Sequence, residues 1–232
     1  MFKRSLAALL LLLAPEAAFA QADAGSAAPA VASAPAVAAP AATAPAAASA
    51  PAAGRTSWSL EVGPGLTAIA VLIAVYRRFP MSHLVYGCVF VHLLILIYGG
   101  YYTYAGTPLG NWAKEAFGLA RNHYDRVGHL ALGVFPSFAI REVLLRNTPL
   151  QRGGWLYFLI LCVVLAIAAF WELLEWWVTL IVAGDVGVAF LGSQGDVWDA
   201  QWDMFLALVG AAIVLPLFGA VHDRSMAKVP AL

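Results

Sequence analysis

Charge is scarce in this sequence. Lys and Arg number 13, Asp and Glu number 13, and together they are 11% of 232 residues with a net charge of zero. A soluble domain carries roughly 25% charged residues, so a water-exposed globule is excluded. No basic excess is available for nucleic acid. Cysteine is nearly absent: Cys88 and Cys162 both fall in apolar runs, which excludes a disulfide framework. There is no Cys-based metal motif, no Gly-rich phosphate loop and no serine–histidine–aspartate order.

What the chain has instead is apolar length. It is 62% hydrophobic with a mean hydropathy of +0.80. Several runs reach the roughly 20 residues that a helix needs to cross a hydrocarbon core. The expected fold is therefore all-α, a polytopic helical membrane bundle of about five transmembrane helices after a cleavable signal peptide. The spans are predicted near 59–76, 80–104, 123–146, 154–182 and 199–221, within a transmembrane domain covering 58–222. Residues 1–20 read as the signal peptide: Lys3 and Arg4, a short apolar run, then Ala18-Phe19-Ala20 before Gln21. Residues 21–53, almost all Ala and Pro, are expected to be a periplasmic linker, because repeated prolines block helix and large apolar groups are missing. Residues 223–232 are assigned to a cytoplasmic tail, and His222 is placed with it.

The loops set the expected direction. Arg77, Arg78, Arg141, Arg146, Arg152, Arg224 and Lys228 gather on one side; Arg55, Lys114, Arg121 and Arg126 on the other. The positive-inside rule puts the larger set in the cytoplasm of a bacterial inner membrane, with the mature N-terminus periplasmic and the C-terminus cytoplasmic. Tyr98, Tyr101, Tyr102 and Tyr104, with Trp171, Trp176 and Trp177, are then expected as an outer interfacial belt.

This topology converges the acidic residues. NHYDRVGHLALG carries Asp125 and His129 four apart, one turn along one helix face. WELLEWW carries Glu172 and Glu175, three apart, with Glu172 about 15 Å inside its helix end. QGDVWDAQWDM carries Asp196, Asp199 and Asp203 at i, i+3 and i+7. An acidic group at mid-bilayer is unfavourable by about 2.5–3.5 kcal/mol, so these groups must face one another, water or bound cations. Asp125, His129, Glu172, Glu175 and Asp199 are candidate acid–base groups. His129, Glu172, Asp196, Asp199 and Asp203 are candidate ligands for a divalent metal ion. Blander assignments exist for several: Asp196 and Asp199 as helix caps, Asp125–Arg126 as an exposed interfacial pair, His129 as a histidine bonded to a carbonyl, and Arg141 with Glu142 as a structural pair. His92 is placed to bond across helices or to reach the acidic group.

YDRVGHLALG, WELLEWW and FLGSQGDVWDAQWDM resemble the YjdF-like inner-membrane proteins over about residues 58–222. That resemblance implies a multi-pass inner-membrane protein and carries no activity with it. The order of polar residues is also similar to that of VanZ-like membrane proteins, which are associated with glycopeptide resistance. Asp203 is followed by MFLALVGA where that pattern expects an Asn ahead of a Gly. Three functions stay open: a divalent-cation site acting on lipid or envelope precursor headgroups, a proton or cation transporter, and a non-enzymatic membrane scaffold. The bilayer is the expected partner, and nucleic acid is not.

Overall fold

The computed structural model describes residues 55–181 and 193–229. The signal segment and the Ala/Pro linker lie outside the described residues. Among those described there are helices and one short 3-10 turn, with no strand. The order is α1 (Arg55–Val75), α2 (His83–Tyr102), the turn Tyr104–Gly106, α3 (Pro108–Phe117), α4 (Tyr124–Asn147), α5 (Gly154–Ile181) and α6 (Asp199–Met226). Five of the helices are long and apolar enough to cross a membrane: α1 from Trp58, α2, α4, α5 and α6. Their large apolar side chains turned away from the bundle, such as Ile73, Phe90 and Leu180, are exposed in a way only lipid tolerates.

Helix α4 is the hub. It packs against α2, α5 and most extensively α6, while α6 also packs on α5; α1 packs chiefly on α2. Small residues permit the close α4–α6 approach. A Cβ on Gly133 would run into the carbonyl oxygen of Ala207, and one on Gly210 into that of Leu130. Such small-residue contacts substitute for a hydrophobic driving force that the bilayer does not supply. Val85, Phe138, Ile160, Val164, Ala207 and Ala211 fill the buried centre.

Pro136 sits inside α4 and cannot donate to the preceding turn. The neighbouring Ser137 hydroxyl donates to the Gly133 carbonyl at 2.5 Å, which satisfies the hydroxyl within its own helix where lipid offers no water.

Two features differ from the sequence expectation. Helix α6 runs to Met226, so His222 is a fully buried bundle residue and not part of a tail. Its Nδ1 faces Arg141 Nη1 at 3.1 Å and its Nε2 faces Glu142 Oε2 at 3.1 Å. Arginine has only donors, so Nδ1 accepts and Nε2 carries the hydrogen. Glu142 also accepts from Ser82 N–H and from Arg146, while Arg141 and Arg152 pair with Asp223. This network ties α2, α4 and α6 at one end of the bundle.

The second difference is α3, an amphipathic helix within a stretch read as plain loop. Leu109, Trp112 and Phe117 are exposed on it. Asn122 holds its approach: the side-chain amide donates to the carbonyls of Ala105 and Thr107 and to Asn111 Oδ1, and its oxygen accepts from Tyr124 N–H.

Candidate functional site

At the end of the bundle opposite the His222 network, acidic residues from α1, α4, α5 and α6 converge. The two arginines just before and inside the first turn of α4 decide how they divide. Arg121 Nη1 donates to Asp199 Oδ1 at 2.6 Å, to the Ser193 carbonyl at 2.8 Å and to Asp196 Oδ2 at 3.4 Å. Arg126, fully buried, pairs with the same Asp196 oxygen. The other Asp196 oxygen accepts from Trp198 N–H at 2.9 Å, closing the turn that starts α6. Gln194 exchanges two hydrogen bonds with the backbone of Asn122. The segment before α6 is thus stapled to the segment before α4. Asp125 and Arg126 do not form the exposed pair considered from the sequence: both are buried, and Arg126 turns to Asp196.

Asp125, His129 and Asp203 form the second set. One ligand atom from each lies within 4.8 Å of the others, and all three residues are buried. His129 Nε2 stands 3.8 Å from Asp125 Oδ1 on its own helix and 3.4 Å from Glu172 Oε1 on α5. Asp203 Oδ1, Glu172 Oε1 and His129 Nδ1 are buried without a hydrogen-bond partner. A buried polar atom left unsatisfied costs about 1–3 kcal/mol. Three of them clustered in one place call for an explanation.

Beside this trio lies a cavity of about 250 Å³. Glu61, Asp125, Glu175, His129, His92 and Tyr104 give its polar wall; Leu96, Leu132, Pro136 and Ile167 are among its apolar residues. Trp171 also faces it, so one tryptophan assigned to the interfacial belt lines the site instead. Tyr104 likewise leaves the belt. It is buried, and its ring fills a notch where a Cβ on Gly99 or Gly128 would come within 2.7 or 2.9 Å. Burial first, then the carboxylates of Glu61 and Asp125, hold its phenol far above the usual range, so the hydroxyl keeps its proton. His92 stacks on Phe135 at 5.9 Å, and its Nε2 has no hydrogen-bond partner.

Glu61 is a site residue outside the sequence-based expectations. In the sequence it merely interrupts the apolar run of the first span, beside Gly63, Pro64 and Gly65. Yet the argument that singled out Glu172, a carboxylate in an apolar run, applies to it unchanged. By sequence Arg121 and Arg126 are loop charges, and nothing in their spacing announces which aspartates they reach. Glu172 and Glu175 both turn inward, Glu172 to His129 and Glu175 to the cavity.

The family described as "Predicted membrane protein (DUF2238)" matches residues 30–224. The chain belongs to this family. It is also 41% identical over 174 residues to "Inner membrane protein YjdF" of Escherichia coli (strain K12), covering 75% of this chain and 83% of that relative. No solved structure matches the chain. Five apolar helices and this relative make the chain a multi-pass inner-membrane protein, in agreement with the YjdF-like resemblance of its motifs.

Proposed function

We propose that Asp125, His129 and Asp203, with Glu172 beside them, hold a divalent cation with which this membrane protein acts on the headgroup of a lipid or envelope precursor. The observation that carries the reading is the trio of ligand atoms within 4.8 Å of one another, drawn from two helices and buried. Two carboxylates and an imidazole suit manganese, zinc or iron, and less specifically magnesium. A cation there would also satisfy the unpartnered oxygens of Asp203 and Glu172.

Asp196 and Asp199, candidates on spacing, are weaker ligands in this reading because Arg121 and Arg126 already neutralise them. Their work is to position Asp203 by fixing the start of α6. Glu175 serves as an acid–base group at the cavity wall and Glu172 as one beside His129, with the Tyr104 hydroxyl as a neutral donor. The bound ion would polarise a headgroup oxygen; the side chains bind and orient the headgroup and exclude water. The excess of basic residues at the His222 end supports a periplasmic position for the site. Cation translocation is the weaker alternative, since at the far end Glu142 and Asp223 are both engaged by arginine.

Metal content by mass spectrometry on detergent-purified protein tests the reading, parent beside a His129→Ala, Asp203→Asn variant. Near-stoichiometric metal in the parent and loss in a well-folded variant is the expected result. No metal in either, after growth with added manganese, zinc and magnesium, would refute it.

A further inference from the structure

The cavity beside the trio has carboxyl groups that the arginines do not engage. Glu61 and Glu175 are both more than nine-tenths buried and both line it, with Asp125 as a third carboxylate. Neither Glu61 nor Glu175 has an ion-pair partner among the described residues. His129, also more than nine-tenths buried, lines the same space with Nδ1 lacking a hydrogen bond.

The space is much larger than an ion needs. At about 30 Å³ per water, 250 Å³ corresponds to roughly eight water molecules. Much of its wall is apolar, and the aromatic residues Tyr104 and Trp171 complete it. Carboxylates suit a cation, aromatic faces suit an organic one, and apolar walls suit the carbon chain attached to it. Helices α1 and α5 flank the cavity yet scarcely touch each other, since α1 packs chiefly on α2. An occupant arriving through that gap comes from the bilayer.

We infer that this cavity receives the ammonium group of a membrane amphiphile, seated between Glu61 and Glu175 with its chain leaving between α1 and α5. The inference rests on reading this end as a headgroup site, and it names the class of headgroup. It does not require the metal ion. Metal without ammonium binding would remove this inference alone; ammonium binding without metal would remove the metal reading alone.

The test is calorimetric titration of the full chain in an uncharged maltoside detergent with octylammonium, octanol and ethylammonium. Octylammonium is expected to bind saturably at one site. Octanol, which has the chain without the charge, gives no saturable heat. Ethylammonium, with charge but little chain, binds at least about tenfold more weakly. The Glu61→Gln, Glu175→Gln variant weakens octylammonium about tenfold or more while its metal content matches the parent. Octanol binding as tightly as octylammonium would overturn the ammonium site. Ethylammonium binding as tightly would overturn the membrane source in favour of a free amine. Unchanged affinity in a monodisperse variant would overturn the role of the two glutamates. Should the variant not fold, the comparison of octylammonium with octanol on the parent still decides.

Discussion

Arg121 Nη1 donates to Asp199 Oδ1 at 2.6 Å, with both side chains almost withdrawn from the surface. The pair joins the segment before α4 to the first turn of α6 and holds the two helices that supply Asp125, His129 and Asp203. Removing one member of such a buried pair strands a charge, typically at a cost of 3–5 kcal/mol. Arg121→Met alone should therefore lower the melting temperature in detergent sharply. Adding Asp199→Asn should recover much of the loss. Simple additivity of the two changes would show that the pair is not coupled.

The α4–α6 contact predicts a steric limit. Gly133→Ala puts a methyl group against the Ala207 carbonyl, which is backbone and cannot swing aside. Overpacking of this kind costs about 1–3 kcal/mol. Gly63→Ala, where nothing lies within 4 Å of the added group, should be close to neutral. Thermal melts of the two variants side by side check the contrast.

His123, just ahead of α4, gives a pH dependence. Burial first, then the charges of Arg126 and Arg121, push its imidazole down to about 4, with Asp196 pulling the other way. In the unfolded chain it titrates near 6.5. Above about 6.5 neither state binds the proton, and the group is silent. Between about 6.5 and 4 the unfolded chain binds it and the folded chain does not, so stability falls as pH drops through that window. Below about 4 the loss is complete, at most about 3 kcal/mol. Melting temperature against pH should show this acid-side slope in the parent and a shallower one in His123→Gln.

At the other end, Glu142 is fully buried and accepts from Ser82 N–H, Arg146 and His222. Glu142→Ala leaves the Ser82 amide without its side-chain acceptor and Arg146 with the Pro80 carbonyl but no carboxylate partner. It should destabilise by about 3–5 kcal/mol, while leaving metal content per folded molecule unchanged. Metal analysis on the surviving folded fraction separates this structural role from a part in the site.

The spans were legible because apolar length is a local property of sequence, and their ends fall within a few residues of expectation. For α6, hydropathy fades near Ala220, but intrahelical bonds and the His222–Glu142 contact carry the helix to Met226. Asp125 with His129 was legible because i,i+4 spacing fixes a shared face. Periodicity names faces and not the neighbours they meet. It therefore missed that Arg121 and Arg126 would claim Asp196 and Asp199, and that Tyr104 would wedge between Gly99 and Gly128. Helix α3 was missed because ten residues with a polar side carry no span-length signal; it is fixed by Asn122, a tertiary contact.

The most direct measurement of the central claim is electron paramagnetic resonance on protein loaded with manganese(II), with pulsed detection of nitrogen coupling. One tightly bound ion is predicted, with a nitrogen coupling that disappears in His129→Gln and persists in Asp199→Asn. No tightly bound manganese, or bound manganese whose signal is the same in the parent and in His129→Gln, would contradict it.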